Sequence, residues 1–164
     1  MIDLPIIERW LACWSLSRGV PLPLPYNGGL VVEVGWPDQL RRYVFADAGP
    51  ALQACAQGIR EPQVFLKAPV EPDVLRRALP AGWDVEGRGC FMAGPQLQPA
   101  DVLLPAGYRL SFGREHGAQL VRVMHDCGDV AARGGTVLHG RCAVFDRIET
   151  AEAHRRRGLG TVVM

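Results

Sequence analysis

The sequence lacks an excess of charge of either sign. Eighteen Lys and Arg stand against seventeen Asp and Glu, for a formal net charge of +1. A surface that tracks a nucleic-acid backbone needs many basic contacts, so no nucleic-acid partner is expected. Long apolar runs are missing too. No stretch approaches the ~20 residues of a membrane-spanning helix, so no membrane partner is expected. Asp3, Glu8 and Arg9 interrupt the first apolar segment, which therefore does not read as a signal peptide. Cysteine shows no framework, and its number is odd. Cys13, Cys55, Cys90, Cys127 and Cys142 follow no framework spacing and form no CxxC. That pattern predicts reduced thiols, a cytoplasmic protein and no metal site. The three serines, Ser15, Ser17 and Ser111, lie in no GxSxG elbow, so serine-hydrolase chemistry has no support. What remains is a chain of 164 residues, 48% hydrophobic and 21% charged. It can build one packed domain or two small ones.

Residues 4–17 read as an amphipathic helix with Ile7, Trp10, Leu11 and Trp14 in one stripe, started by Asp3 and ended by Gly19. Pro21 to Pro25 reads as a stiff extended connector. Leu30 to Trp36 and Tyr43 to Ala46 read as a strand hairpin. Pro50 to Ile59 is helical, with Leu52, Cys55, Ala56 and Ile59 on one face. Gln63 to Lys67 is a strand, and Pro72 to Leu79 a short helix closed by Pro80. Trp83–Val85 and Gly89–Ala93 are candidate strands. Gly94 to Pro99 is the best linker, which predicts units at 1–98 and 99–164.

In the second unit, Tyr108–Phe112 is read as a strand. Glu115–Cys127 is read as a helix with Leu120, Val123, Met124 and Cys127 on one face. Asp129–Arg133 and Thr136–His139 are strands around a Gly134-Gly135 turn, and Cys142–Thr150 is a strand. The expected order is β-α-β-β-β-loop-α. Mixed elements without strict alternation predict an α+β fold with a largely antiparallel sheet flanked by helices.

The loop after Thr150 is the sharpest signal. His154-Arg155-Arg156-Arg157-Gly158-Leu159-Gly160-Thr161 joins a strand to a helix start at Thr161-Val162-Val163-Met164. Glycines admit a ligand close to the backbone, and the first N–H groups of a helix lack partners and favour an anion. Neither a Walker A loop nor a dinucleotide fingerprint is present. The string Arg155-x-x-Gly158-x-Gly160, entered from Ile148-Glu149-Thr150, resembles the acetyl-CoA loop of the GNAT superfamily of N-acetyltransferases. The resemblance covers about residues 105–164. One departure is Glu152, where members often carry proline.

The resemblance implies a fold, a co-substrate and roles. Backbone N–H groups from Arg156 to Thr161, including those of Arg157, Gly158, Leu159 and Gly160, would hold the pyrophosphate of acetyl-CoA. The side chains of Arg155, Arg156 and Arg157 would add charge-assisted contacts. The strand through Ile148 and Thr150 would pair with the pantetheine arm. A primary amine on a small molecule or peptide would then attack the thioester directly. Glu149 is the first candidate for general base and Asp146 the second. By period-two alternation Glu149 and Arg147 share one face, while Asp146 and Ile148 share the other. His125-Asp126-Cys127 suggests a metal or a nucleophile, but on a helix adjacent side chains diverge by about 100° and do not converge. Cys127 is then a packing residue.

Residues 43–93 resemble the second half of the same fold, but Asp47-Ala48-Gly49-Pro50 supplies no glycine cradle. This implies a degenerate, non-catalytic GNAT-like module; an unrelated small α+β domain fits equally. The GNAT fold continues beyond the motif helix. The sequence therefore reads as truncated after the loop, or as completed by the N-terminal half in cis or across a homodimer. Two functions follow: an acetyl-CoA-dependent N-acetyltransferase, or a non-catalytic CoA-binding or interaction module.

Overall fold

A computed structural model describes residues 2–87, 89–94 and 101–164. It is mixed α+β, with two four-stranded sheets in two compact units. The chain divides after Gly94, and residues 16–19 group with the second unit. Residues 95–99 of the expected linker lie outside the described residues. Among the described residues no helix is long and apolar enough to cross a membrane.

The first unit opens with helix α1 (Leu4–Arg18). The expected stripe is the buried one: Ile7, Leu11 and Trp14 lie in the core, with Trp10 packed beside them. At its end Gly19 adopts a φ of +65°. The Gly19 N–H donates to the Leu16 carbonyl and the Val20 N–H to the Ser15 carbonyl, a glycine-closed terminus. Three strands then run antiparallel: β1 (Leu24–Tyr26), β2 (Gly29–Trp36) and β3 (Gln39–Val44). The proline connector thus ends as a strand. Its turn into β2 is Asn27-Gly28, both at positive φ, the residues that a two-residue hairpin favours. Helix α2 (Pro50–Gly58) leads to β4 (Val64–Lys67), which pairs parallel to β3, and helix α3 (Pro72–Ala78) follows.

The expected α2 face is correct: Leu52, Cys55 and Ala56 are buried with Tyr43, Phe45 and Leu66, and Ile59 packs against them. The strands expected at 83–85 and 89–93 do not form. Positive φ at Gly82 and Gly87 breaks the extended run, and the segment is held by aromatics instead. The Trp83 indole N–H donates to the Ala56 carbonyl at 3.3 Å, and Phe91 meets Trp10 edge-on.

Burial pushes the Cys55 thiol up from 9.0 to about 11. The folded unit therefore keeps a proton that the unfolded chain releases at lower pH. This stability contribution is complete below pH 9 and is lost as pH rises toward 11, with a slope of up to about 1.4 kcal/mol per pH unit. Lys67, lowered first by its burial and then by Arg42, acts with the opposite sign. The difference between parent and Cys55→Ala isolates the thiol. Denaturant midpoints measured from pH 8 to 11 (roughly the window that the shift defines) should converge as pH rises.

The second unit is a meander of β5 (Tyr108–Glu115), β6 (Ala118–His125), β7 (Val130–His139) and β8 (Cys142–Thr150). A 3-10 turn (Glu152–His154) and helix α4 (Leu159–Val162) follow. Three expectations fail. Glu115–Cys127 is not a helix: His116, at φ +50°, and Gly117 turn the chain, and β6 pairs with β5 over eight positions. Gly134-Gly135 is not a turn but lies inside one ten-residue strand. A Cβ on Gly134 would sit 2.6 Å from Ile148 Cδ1 and 3.2 Å from the Val163 carbonyl oxygen, so glycine there lets α4 lie close on the sheet. The order ahead of the loop is accordingly four consecutive strands, not β-α-β-β-β.

Candidate functional site

The site is built where β8 ends. Cys142–Thr150 is the strand read from the sequence, but it carries an extra residue. Arg133 pairs with Glu149 and Gly135 with Asp146, so two steps on β7 face three on β8. The irregularity centres on Arg147, at φ +55°. The bulge breaks the assumed alternation. Asp146 and Arg147, expected on opposite faces, both reach the 16–19 segment that groups with the second unit. Arg18 pairs with the Asp146 carboxylate, and Arg147 donates to the Ser17 carbonyl at 3.4 Å.

Beyond Thr150 the chain makes its 3-10 turn, closed by the His154 and Arg155 N–H groups on the Ala151 and Glu152 carbonyls. Arg156 then takes a φ of +63° and Gly158 a φ of +75°, and α4 begins. Leu159, 1% exposed, anchors that helix among Val123, Ala131, Ala132 and Val163. The Thr161 and Val162 N–H groups donate back to the Gly158 carbonyl. Thr161, expected among the anion donors, is therefore committed to the helix. Among the described residues nothing accepts a hydrogen bond from the backbone N–H groups of Arg156, Arg157, Gly158, Leu159 or Gly160. Left-handed Gly158 followed directly by helical Leu159, with unsatisfied N–H groups, is a local backbone geometry of the kind that suits an anion.

A groove of about 890 Å³ opens beside this turn. Ile148, Glu149, Thr150, Arg155, Arg156, Gly158, Leu159 and Gly160 all line it; Arg157 and Thr161 do not. Arg122 and Arg133 add positive charge from β6 and β7, against the carboxylates of Glu149 and Glu152. Arg155 folds back, its Nε 3.4 Å from the Thr150 carbonyl oxygen. One oxygen of Glu149, Oε2, meets two nitrogens on one edge of the Arg133 guanidinium, 2.8 Å from Nε and 2.6 Å from Nη2. The groove is thus lined by turn residues and arginines, with its one strand-borne carboxylate paired to Arg133.

In the first unit the loop ahead of α2 makes its own carboxylate contact. The Asp47 carboxylate accepts the Gly49 N–H at 2.7 Å, and Pro50 has no N–H to offer.

The divergence expected for His125 and Cys127 is also wrong. They flank a tight turn between β6 and β7, and His125 Nδ1 lies 2.8 Å from Cys127 Sγ. The misread helix hid this contact; the His-Gly pair at 116–117 was the signal for the hairpin that creates it. Among the described residues no group of three or more His, Cys, Asp or Glu is placed to hold a metal ion. No protein-family model, curated protein or solved structure matches the chain.

Proposed function

We propose that the second unit binds the pyrophosphate of an acyl-CoA thioester at the 155–160 turn and serves acetyl transfer from acetyl-CoA to a primary amine. The observation that carries this reading is the run of five unpartnered N–H groups, Arg156 to Gly160, beside an arginine-lined groove. Fixed backbone donors suit an anion because they need no reorganisation when it arrives. The spacing Arg155-x-x-Gly158-x-Gly160 and its GNAT resemblance narrow the anion to a CoA thioester.

Titration with acetyl-CoA by calorimetry tests this: absence of heat at millimolar ligand ends the proposal. Two glycines make the test specific. Gly158 needs positive φ and has no neighbour within 4 Å of a built Cβ, so Gly158→Ala acts through the backbone alone. Its left-handed penalty of about 1–2 kcal/mol should weaken binding roughly tenfold. At Gly160 a Cβ would meet Thr150 Oγ1 at 3.6 Å, an ordinary contact, so Gly160→Ala should bind close to the parent.

A second reading is a CoA-binding module without catalysis. The double contact of Glu149 with Arg133 favours it, because a base must be free to take the amine proton. Release of free CoA thiol across an amine panel separates the two readings. Turnover supports transfer; binding without turnover supports the module.

A further inference from the structure

We infer that Cys127 is a nucleophilic thiol with His125 as its base, able to exchange with low-molecular-weight disulfides. The turn that carries it is tightly held. His125 N–H donates to the Asp129 carbonyl at 2.9 Å, Gly128 N–H to the His125 carbonyl at 2.9 Å, and Asp126 N–H to the Gly107 carbonyl at 3.0 Å. Cys127 is exposed, and its Sγ lies 2.8 Å from His125 Nδ1. The backbone N–H of Cys127 also points at Nδ1, at 3.3 Å. That donor selects the tautomer whose Nδ1 carries a lone pair, and Nδ1 is the ring atom beside the sulfur.

The groups around the pair are defined. The Cys127 thiol donates to Asp129 Oδ2 at 3.2 Å, an oxygen that also lies 3.8 Å from His154 Nε2, so rotation about the Cβ–Sγ bond is what turns the S–H toward His125 Nδ1. His154 Nδ1 meets the Tyr108 hydroxyl at 2.9 Å, and the His125 and His154 rings stand 5.1 Å apart. Asp126 has Arg109 at 3.9 Å. The thiol therefore has a base in contact, and its neighbouring carboxylates each have a cationic or imidazole partner nearby.

In the exchange, the Cys127 proton moves to His125 Nδ1 as Sγ attacks one sulfur of the disulfide. A new S–S bond forms and the old one breaks. The leaving thiolate takes the proton back from Nδ1, so Cys127 is oxidised to a mixed disulfide and the small disulfide is reduced to one thiol.

The chain contains its own controls. Cys90 is exposed and Cys142 partly so, and among the described residues neither meets an imidazole; Cys13 and Cys55 are buried. Incubation of the full chain with excess glutathione disulfide, acid quench and peptide mass mapping gives the rate at each site. Cys127 should react at least about tenfold faster than Cys90 and Cys142 at neutral pH, because His125 Nδ1, 2.8 Å from its sulfur, is placed to take the thiol proton as the sulfur attacks. His125→Gln should bring Cys127 down to the rate of Cys90 and leave Cys90 unchanged. Equal rates at Cys127 and Cys90 in the parent chain overturn the inference without any variant. A His125→Gln chain with a native circular dichroism spectrum and an unchanged Cys127 rate overturns it independently.

Discussion

Leu159→Ala should lower the stability of the second unit by about 3 kcal/mol and remove the proposed CoA-thioester binding with it. Leu159 is 1% exposed and packs with Val123, Ala131, Ala132 and Val163. Truncating a buried leucine loses its transfer energy and leaves a cavity, a cost of roughly 2–5 kcal/mol. Helix α4 has four residues, too few to persist by intrinsic propensity, so packing at Leu159 and Val163 is what orients it. Once it loosens, the N–H groups of Gly158, Leu159 and Gly160 lose their fixed positions. The denaturant midpoint of the second unit and an acetyl-CoA titration measure the two effects. A midpoint change worth less than about 0.5 kcal/mol, the scale of an ordinary surface substitution, would show that the turn is held by something else.

The other large effect is in the first unit. Phe45→Ala should cost about 3–5 kcal/mol. Phe45 is 2% exposed, among Tyr43, Leu52 and Leu66. It also explains Gly29: a Cβ there would lie 2.5 Å from Phe45 Cδ1 and 2.8 Å from the Val44 carbonyl oxygen. Gly29→Ala is therefore destabilising alone, by about 1–3 kcal/mol, through overpacking. In the double variant the ring is gone, so the new methyl enters the space it left, while the clash with the Val44 carbonyl persists. The two costs should fall short of additivity by about 1 kcal/mol or more, which a double-mutant cycle in denaturant reads directly. Strict additivity would mean that Gly29 and Phe45 do not share that space.

Much of the first unit was legible because its signals are local. Prolines open α2 and α3, Pro80 closes the latter, and the α1 stripe spaces Ile7, Leu11 and Trp14 onto one side. The second unit was misread where the decision is not local. Leu120, Val123, Met124 and Cys127 fall at helical spacing, yet Val121 and Val123 are β-branched, and two neighbouring strands stand ready to pair. Tertiary pairing outweighed the periodicity. The loop from Arg155 to Gly160 was legible from its glycines, since positive φ at Gly158 has a residue type that announces it. Positive φ at Arg147 has none. The bulge there, the reach of Arg147 toward Ser17 and the capture of Glu149 by Arg133 follow from strand register, which no short string encodes. The His125–Cys127 contact was lost for the same reason: adjacent residues diverge on a helix but converge across a turn.

The Asp47 carboxylate on the Gly49 N–H has a consequence for thermal unfolding. One unit already carries the negative charge that its loop can accept; the other has its donors open. A ligand that binds only the folded form of one unit raises that unit's melting transition and leaves the other where it was. At a hundredfold excess over its dissociation constant the rise corresponds to about 2.7 kcal/mol. Under the proposed function, acetyl-CoA should pull apart two heat-absorption peaks in a single chain, with the first unit serving as the internal thermometer against which the second is read.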